Sequence, residues 1–301
     1  MAPLRIANAP CSWGALEFEW AGPAPAFARV LDEMALTGYA GTELGDWGFL
    51  PTDPVRLHDE LAQRHLALVG AFVRVRLSDE GAHADGVETA LRVAALLAAV
   101  SGPESLIVLC DDTAADPQRT RAAGRVRPEH GLDERGWTML TIGAERIGRC
   151  VREATGLQTV FHHHCATFVE TEAEIDQLLT RTDPSLIGLC LDTGHSAFGG
   201  GDPLATLRRW RNRIRHVHLK DCDPVIRRRT TEEGWDYQQA VRHGVFCELG
   251  RGIVDFRGIV AELQGWGYDG WLVVEQDVLP SMGTPAESAA RNRAYLRALG
   301  F

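Results

Sequence analysis

The chain has 301 residues, 45% hydrophobic and 24% charged, which is enough to build a large core and excludes disordered and collagen-like classes. Its formal net charge of -10 argues against a nucleic-acid partner, which needs Lys and Arg clustered on a positive face. The seven cysteines run from Cys11 to Cys247 without a C-x-x-C pair, so neither a disulfide framework nor a thiolate zinc site is expected, and the thiols are read as reduced.

Residues 1–5 lead directly into strand-like sequence, without the basic segment and apolar run of a signal peptide. No stretch approaches the length of a membrane span. A cytoplasmic protein with no membrane partner is the expectation.

Short apolar runs alternate with amphipathic helical stretches along the whole chain, the pattern of parallel βαβ units. Strands are predicted at residues 4–9, 39–44, 66–73, 105–110, 157–162, 186–192, 214–220 and 270–276. Most are apolar on both faces, as strands between a barrel interior and an outer helical layer must be. After the first strand, Phe27, Val30, Leu31 and Met34 recur at helical spacing and form one apolar stripe for packing. Further along, Asp53-Pro54 and Asp202-Pro203 each set a capping acid before a proline at the first helical position. Thr171 with Glu174 makes a capping box, and Thr284, Pro285 and Glu287 combine both devices before the last helix.

Eight strands with eight helices predict an α/β fold, a (β/α)₈ TIM barrel occupying residues 1–301 as one domain. A doubly wound open sheet is the alternative. No Gly-x-Gly-x-x-Gly follows the first strand, where a dinucleotide site would need it. Gly199-Gly200-Gly201 lies after the sixth strand and reads as a flexible loop. Two connections, residues 111–136 and 222–247, are longer than simple βα loops and leave the C-terminal ends of strands. They are read as lids or as subunit contacts of a homo-oligomer. Arg227-Arg228-Arg229, in the second, reads as a solvated or inter-subunit surface rather than a phosphate site.

Polar residues gather at the ends of strands five to eight: His162-His163-His164, Asp192-Thr-Gly-His195, His216-Val-His218-Leu-Lys220-Asp221 and Glu275-Gln-Asp277. Strand alternation puts His162 and His164 on one face, and His216, His218 and Lys220 on another shared face. One acid or imidazole ending a buried strand is usually a cap or a satisfied structural group. Asp192, His218 and Glu275 on consecutive strand ends of one barrel instead predict a divalent metal site. Oxygen and nitrogen donors without thiolate suit Mn²⁺, Co²⁺, Mg²⁺ or Zn²⁺.

Six segments carry a family resemblance: Asn8-Ala-Pro-Cys-Ser-Trp-Gly14, Thr42-Glu-Leu-Gly-Asp-Trp-Gly-Phe-Leu-Pro51, Phe161-His-His-His164, Leu191-Asp-Thr-Gly-His195, His216-Val-His-Leu-Lys-Asp221 and Val274-Glu-Gln-Asp277. With them the chain resembles the xylose-isomerase-like superfamily of sugar isomerases, epimerases and dehydratases, and within it the inosose (2-keto-myo-inositol) dehydratases. The resemblance implies one divalent ion, Mn²⁺ or Co²⁺ ahead of Mg²⁺ or Zn²⁺, held by Asp192, His218 and Glu275. It places His162 where many members carry a fourth ligand, a glutamate. Two carboxylates rather than three bring the loaded site near neutrality, which favours a stronger Lewis acid.

The implied substrate is a polyol or sugar, and the implied reaction is loss of water from a cyclic ketopolyol through an enediolate. His164 and His195 are the candidates for base and proton donor, Lys220 for stabilising negative charge, and Glu43 for a base or a hydroxyl anchor. Trp13 and Trp47 are expected to supply an apolar wall. Glu248 and Arg251 are expected to reach the substrate, although the sequence around them departs from the usual dehydratase pattern. Epimerisation or isomerisation of a ketose on the same scaffold is the alternative activity, a sugar-binding protein without catalysis is another, and an endonuclease is disfavoured by the negative charge.

Overall fold

A computed structural model describes residues 4–14, 25–112, 115–278 and 282–300. All eight predicted strands are present: β1 (Arg5–Asn8), β2 (Gly41–Glu43), β3 (Ala67–Val75), β4 (Leu106–Asp111), β5 (Gln158–His162), β6 (Ile187–Asp192), β7 (Ile214–Leu219) and β10 (Trp271–Val274). They close into one parallel barrel in the order β1-β10-β7-β6-β5-β4-β3-β2, with helices around it, so the fold is the expected TIM barrel. Strand lengths differ most from expectation at β2, which contracts to three residues, at β3, which runs on to Val75, and at β10, which contracts to four residues.

The caps form as their chemistry dictates. Asp53 accepts from Arg56 N, and Asp202 accepts from Leu204 N and Ala205 N, each ahead of a proline in the first turn. Thr171 with Glu174 and Thr284 with Glu287 make full capping boxes. The stripe on the first helix buries Val30, Leu31 and Met34 completely and Phe27 in part. All seven cysteines are free thiols. No helix among the described residues is long and apolar enough to cross a membrane.

Both long connections carry structure of their own. Residues 111–136 contain the helix Pro117–Ala122, and residues 222–247 contain the helices Pro224–Glu233 and Tyr237–Arg242. The second is bracketed by two short strands, β8 (Asp221–Cys222) and β9 (Phe246–Cys247), paired antiparallel outside the barrel. Arg125 of the first connection donates to the carbonyls of Thr230 and Trp235 in the second, at 3.2 and 2.7 Å. The two therefore form one layer beside the mouth. In the arginine triplet, Arg228 and Arg229 pair with Glu232 and Glu233 one turn on, as a solvated helix face does.

Candidate metal centre and cleft

His162, Asp192, His218 and Glu275 each bring a donor atom to one place, all four atoms within 4.8 Å of one another. His162 Nε2 lies 3.7 Å and His218 Nδ1 3.9 Å from Asp192 Oδ2, and His218 Nδ1 lies 3.3 Å from Glu275 Oε1. Donors about 2.1 Å from a tetrahedrally held cation lie about 3.4 Å apart, so the spacing suits an ion rather than direct hydrogen bonds.

Local sequence explains how each donor is aimed. Asp192 ends β6 and caps the helix Thr193–Phe198 with Oδ1, which accepts from His195 N at 2.7 Å. Its Oδ2 is left buried without a hydrogen-bond partner. Buried carboxylate oxygens are costly in that state unless a cation satisfies them. On β7, His218 turns Nε2 to Glu43 Oε1 at 2.9 Å, leaving Nδ1 for the cluster without a hydrogen bond. Glu43 Oε1 also accepts from His216 Nε2, at 2.7 Å. A carboxylate behind a histidine fixes the tautomer and orientation of a metal-facing imidazole.

Two other triads, His162–Cys190–His218 and Glu43–His216–His218, are close enough to hold a cation. Neither suits one as well. Burial pushes the Cys190 thiol up to about 12, so it keeps its proton. Glu43 and its two imidazoles stand at hydrogen-bond distances with protons between them.

Above the cluster opens a cleft of about 760 Å³, part of it open to solvent, whose wall includes Glu43, His162, His164, Lys220 and Glu275. Asp192 and His218 lie beneath it, both buried. His164 follows β5 and donates Nδ1–H to the Cys165 carbonyl at 2.6 Å, so in the neutral ring Nε2 is the basic nitrogen. His163, between His162 and His164, faces away and accepts from Asp192 N at 3.1 Å. The alternation expected of the triple histidine is observed.

Lys220 Nζ lies 3.2 Å from Glu275 Oε2 and 3.9 Å from Asp277 Oδ2, and 4.8 Å from the centre of the Phe246 ring. Neither Asp221 nor Glu43 is its partner. Burial alone would lower the ammonium pKa, but the charges of Asp277, Glu275 and Asp192 outweigh it and hold Lys220 well above the ordinary lysine range as a cation. Gly194 allows the approach: a Cβ there would fall 2.5 Å from Lys220 Cγ. Asp221 spends its carboxylate on the backbone N–H groups of Cys222, Gly250, Gly252 and Val254.

Five expected site residues sit elsewhere. His195 does not line the cleft; its ring lies behind His164, centroids 3.8 Å apart, with Nδ1 accepting from Cys165 N. Burial, reinforced by the neighbouring His164, holds it well below the ordinary imidazole range. Trp13 is buried and donates Nε1–H to Glu33 at 2.7 Å, the partner its indole N–H needs. Trp47 stacks under Arg92 on the outside, 4.6 Å from the guanidinium carbon, with 39% of its surface exposed. Glu248 and Arg251 pair with each other at 3.1 Å beside a separate surface pocket, and Arg291 holds Glu248 from the other side at 2.8 Å.

The cleft also takes in residues to which the sequence assigned no role: Cys11, Asp46 and Asp277, which lie within the quoted motifs, and Phe72, Arg74 and Tyr237, which lie outside them. Phe72 and Arg74 were findable, because an arginine two residues beyond a phenylalanine at the end of an apolar strand belongs on the same inward face. Tyr237 comes from the second long connection and carried no signal.

The sequence profile of the xylose isomerase-like TIM barrel matches residues 31–299. A protein named inosose dehydratase from Lacticaseibacillus casei is 34% identical over 298 residues, covering 98% of this chain and 97% of that one. Another of the same name from Geobacillus thermodenitrificans strain NG80-2 is 32% identical over 294 residues, with coverage of 98% and 96%. Among solved structures, Escherichia coli 3-keto-D-glucoside 4-epimerase superposes with a TM-score of 0.72 at 17% identity, covering 98% of this chain and all of that one. An L-ribulose 3-epimerase gives 0.69 at 18% identity, covering 99% and 94%. At those identities the likeness speaks for the fold alone.

Proposed function

Because this chain belongs to the xylose isomerase-like TIM barrel family, we propose that it is a metal-dependent dehydratase that removes water from a cyclic ketopolyol such as 2-keto-myo-inositol. The observation that carries the reading is the four-donor cluster under a cleft lined by charged side chains, in a chain similar over nearly its full length to proteins named inosose dehydratase. The orphaned Asp192 Oδ2 and the mixed donor set fit a hard or borderline divalent cation. His162, Asp192, His218 and Glu275 would hold it. Bound there, it would polarise the ketone and stabilise negative charge on its oxygen.

His164 takes the proton from the carbon beside the carbonyl at Nε2, and the C–H electron pair becomes the double bond of an enediolate. As the carbonyl re-forms, the bond to the β-hydroxyl breaks. The imidazolium of His164 gives its proton to that hydroxyl, which leaves as water, so one group serves both transfers on one face of the ring, and the resulting hydroxy-enone tautomerises to the diketone. Lys220 remains a cation throughout and counters the negative charge of the enediolate. His195 supports the His164 ring from behind.

Metal-loaded protein incubated with 2-keto-myo-inositol is expected to form a conjugated diketone 18 mass units lighter, the mass of one water, followed by absorbance and mass spectrometry. Return of a stereoisomer of unchanged mass would instead assign the cluster to an epimerase, the activity named for the two superposed structures.

A further inference from the structure

Among the barrel strands, β3 reaches farthest, nine residues beside the three of β2. Its inward face climbs from the floor of the cleft to the mouth. A Cβ on Gly70 would lie 3.5 Å from Glu43 Oε1, so Gly70 stands level with the carboxylate behind His218. Phe72 meets His162 edge-on, ring centroids 6.1 Å apart, at the level of the donor cluster. Arg74 follows about 6.6 Å farther out, two residues of strand rise. Phe72 and Arg74 both line the cleft.

We infer that β3 is the specificity wall of the site, with Phe72 packing on the C–H face of a cyclic polyol and Arg74 donating to two neighbouring hydroxyls on the side of the ring remote from the carbonyl. The inference rests on the dehydratase reading and names how its substrate is held. A guanidinium offers a planar fork of donors that can bridge two oxygens. Adjacent hydroxyls on a six-membered ring present such a pair. Five carboxylates, Glu43, Asp46, Asp192, Glu275 and Asp277, line the cleft or the donor cluster beneath it and face Arg74, Lys220 and the two charges of a bound divalent ion, so the loaded site carries no net positive charge to attract an anionic substrate and uncharged hydroxyls are the fitting partners.

The test compares metal-loaded wild type with Arg74→Ala, Arg74→Lys and Phe72→Leu. The readouts are the dissociation constant of 2-keto-myo-inositol by calorimetry, steady-state kinetics, and kcat/KM for two inososes epimeric at a remote hydroxyl. Loss of a charge-assisted pair of hydrogen bonds should weaken binding about 10- to 100-fold in Arg74→Ala, with KM changed more than kcat and the epimer preference reduced toward one. Arg74→Lys should recover part of the affinity without the preference, and Phe72→Leu should weaken binding of both epimers alike. Because Arg74 is exposed at the rim, its variants should keep the wild-type unfolding midpoint. Turnover by wild type with unchanged affinity and preference in Arg74→Ala overturns the inference alone. Tighter wild-type binding of a phosphorylated ketose than of the inosose, abolished in Arg74→Ala, overturns the assignment to hydroxyls. Wild-type protein that neither binds nor turns over the inosose overturns the dehydratase reading and this inference together.

Discussion

Glu43 and His218 stand 175 residues apart in the chain, and their Oε1 and Nε2 atoms meet at 2.9 Å in the barrel. The bond leaves the Nδ1 edge of the imidazole facing Asp192 and Glu275. Burial by itself would raise the Glu43 carboxyl, but the charge of His218 and hydrogen bonds from both imidazoles hold it well below the usual carboxylate range. Glu43 thus holds the His218 ring from the side opposite the donor cluster.

Replacing Glu43 by alanine releases the His218 ring and leaves His216 without its acceptor. Affinity for Mn²⁺ or Co²⁺ should fall about 10- to 100-fold, as loss of a partner behind a metal-facing histidine does elsewhere. Metal titration by calorimetry measures it. Unchanged affinity would mean that Glu43 serves the substrate directly.

Glu275 touches the donor cluster with one oxygen and Lys220 with the other. Glu275→Gln should abolish turnover while unfolding stays cooperative. Stripping the wild type with a chelator should abolish turnover and lower its unfolding temperature, both restored by the ion, since a ligand bound only to the folded state stabilises it. Full activity in Glu275→Gln would remove it from the ligand set.

His164 and His195 separate a group at the cleft wall from the one behind it. His164→Asn should lower kcat about 10²- to 10⁴-fold with metal content unchanged, whereas His195→Asn should cost roughly tenfold less than that. Equal losses would show that the two rings act as one unit. Water formed from substrate deuterated beside the carbonyl should carry part of the label in the wild type, because His164 returns the proton that it took.

Glu170 anchors the first long connection to the turn after β5. Its oxygens accept from Gly124 N at 2.7 Å and Ala166 N at 2.8 Å, and it is buried. Burial pushes its carboxyl up to about 7, the charge of Arg119 opposing only in part. An acid whose folded value exceeds its unfolded value of about 4.3 binds its proton more tightly when folded. Its contribution is complete below the unfolded value and is lost as pH rises through the folded one. Glu170→Gln stays neutral and escapes that loss, although one N–H of its amide opposes a backbone N–H. The stability deficit of the variant should therefore narrow between pH 5 and 8 in paired thermal unfolding curves. A deficit that is constant or widens would contradict the buried, proton-holding carboxyl.

Much of this molecule is legible without coordinates, because the signals are local. Short apolar runs between amphipathic stretches marked the eight strands, two-residue alternation set His162 and His164 on one side of His163, and a capping side chain needs only its own next turn, as at Asp53, Thr171 and Asp202. What the chain could not say alone is where side chains outside regular strands would find partners. Trp13 chose Glu33, Trp47 chose Arg92, and Glu248 chose Arg251 and Arg291, each contact settled by packing between segments that meet only after the barrel closes. Closure also decided that His195 lies behind His164, that Glu43 backs His218, and that the longest strand carries Phe72 and Arg74 to the mouth. Periodicity assigns a residue to a face; only the assembled barrel supplies what that face meets.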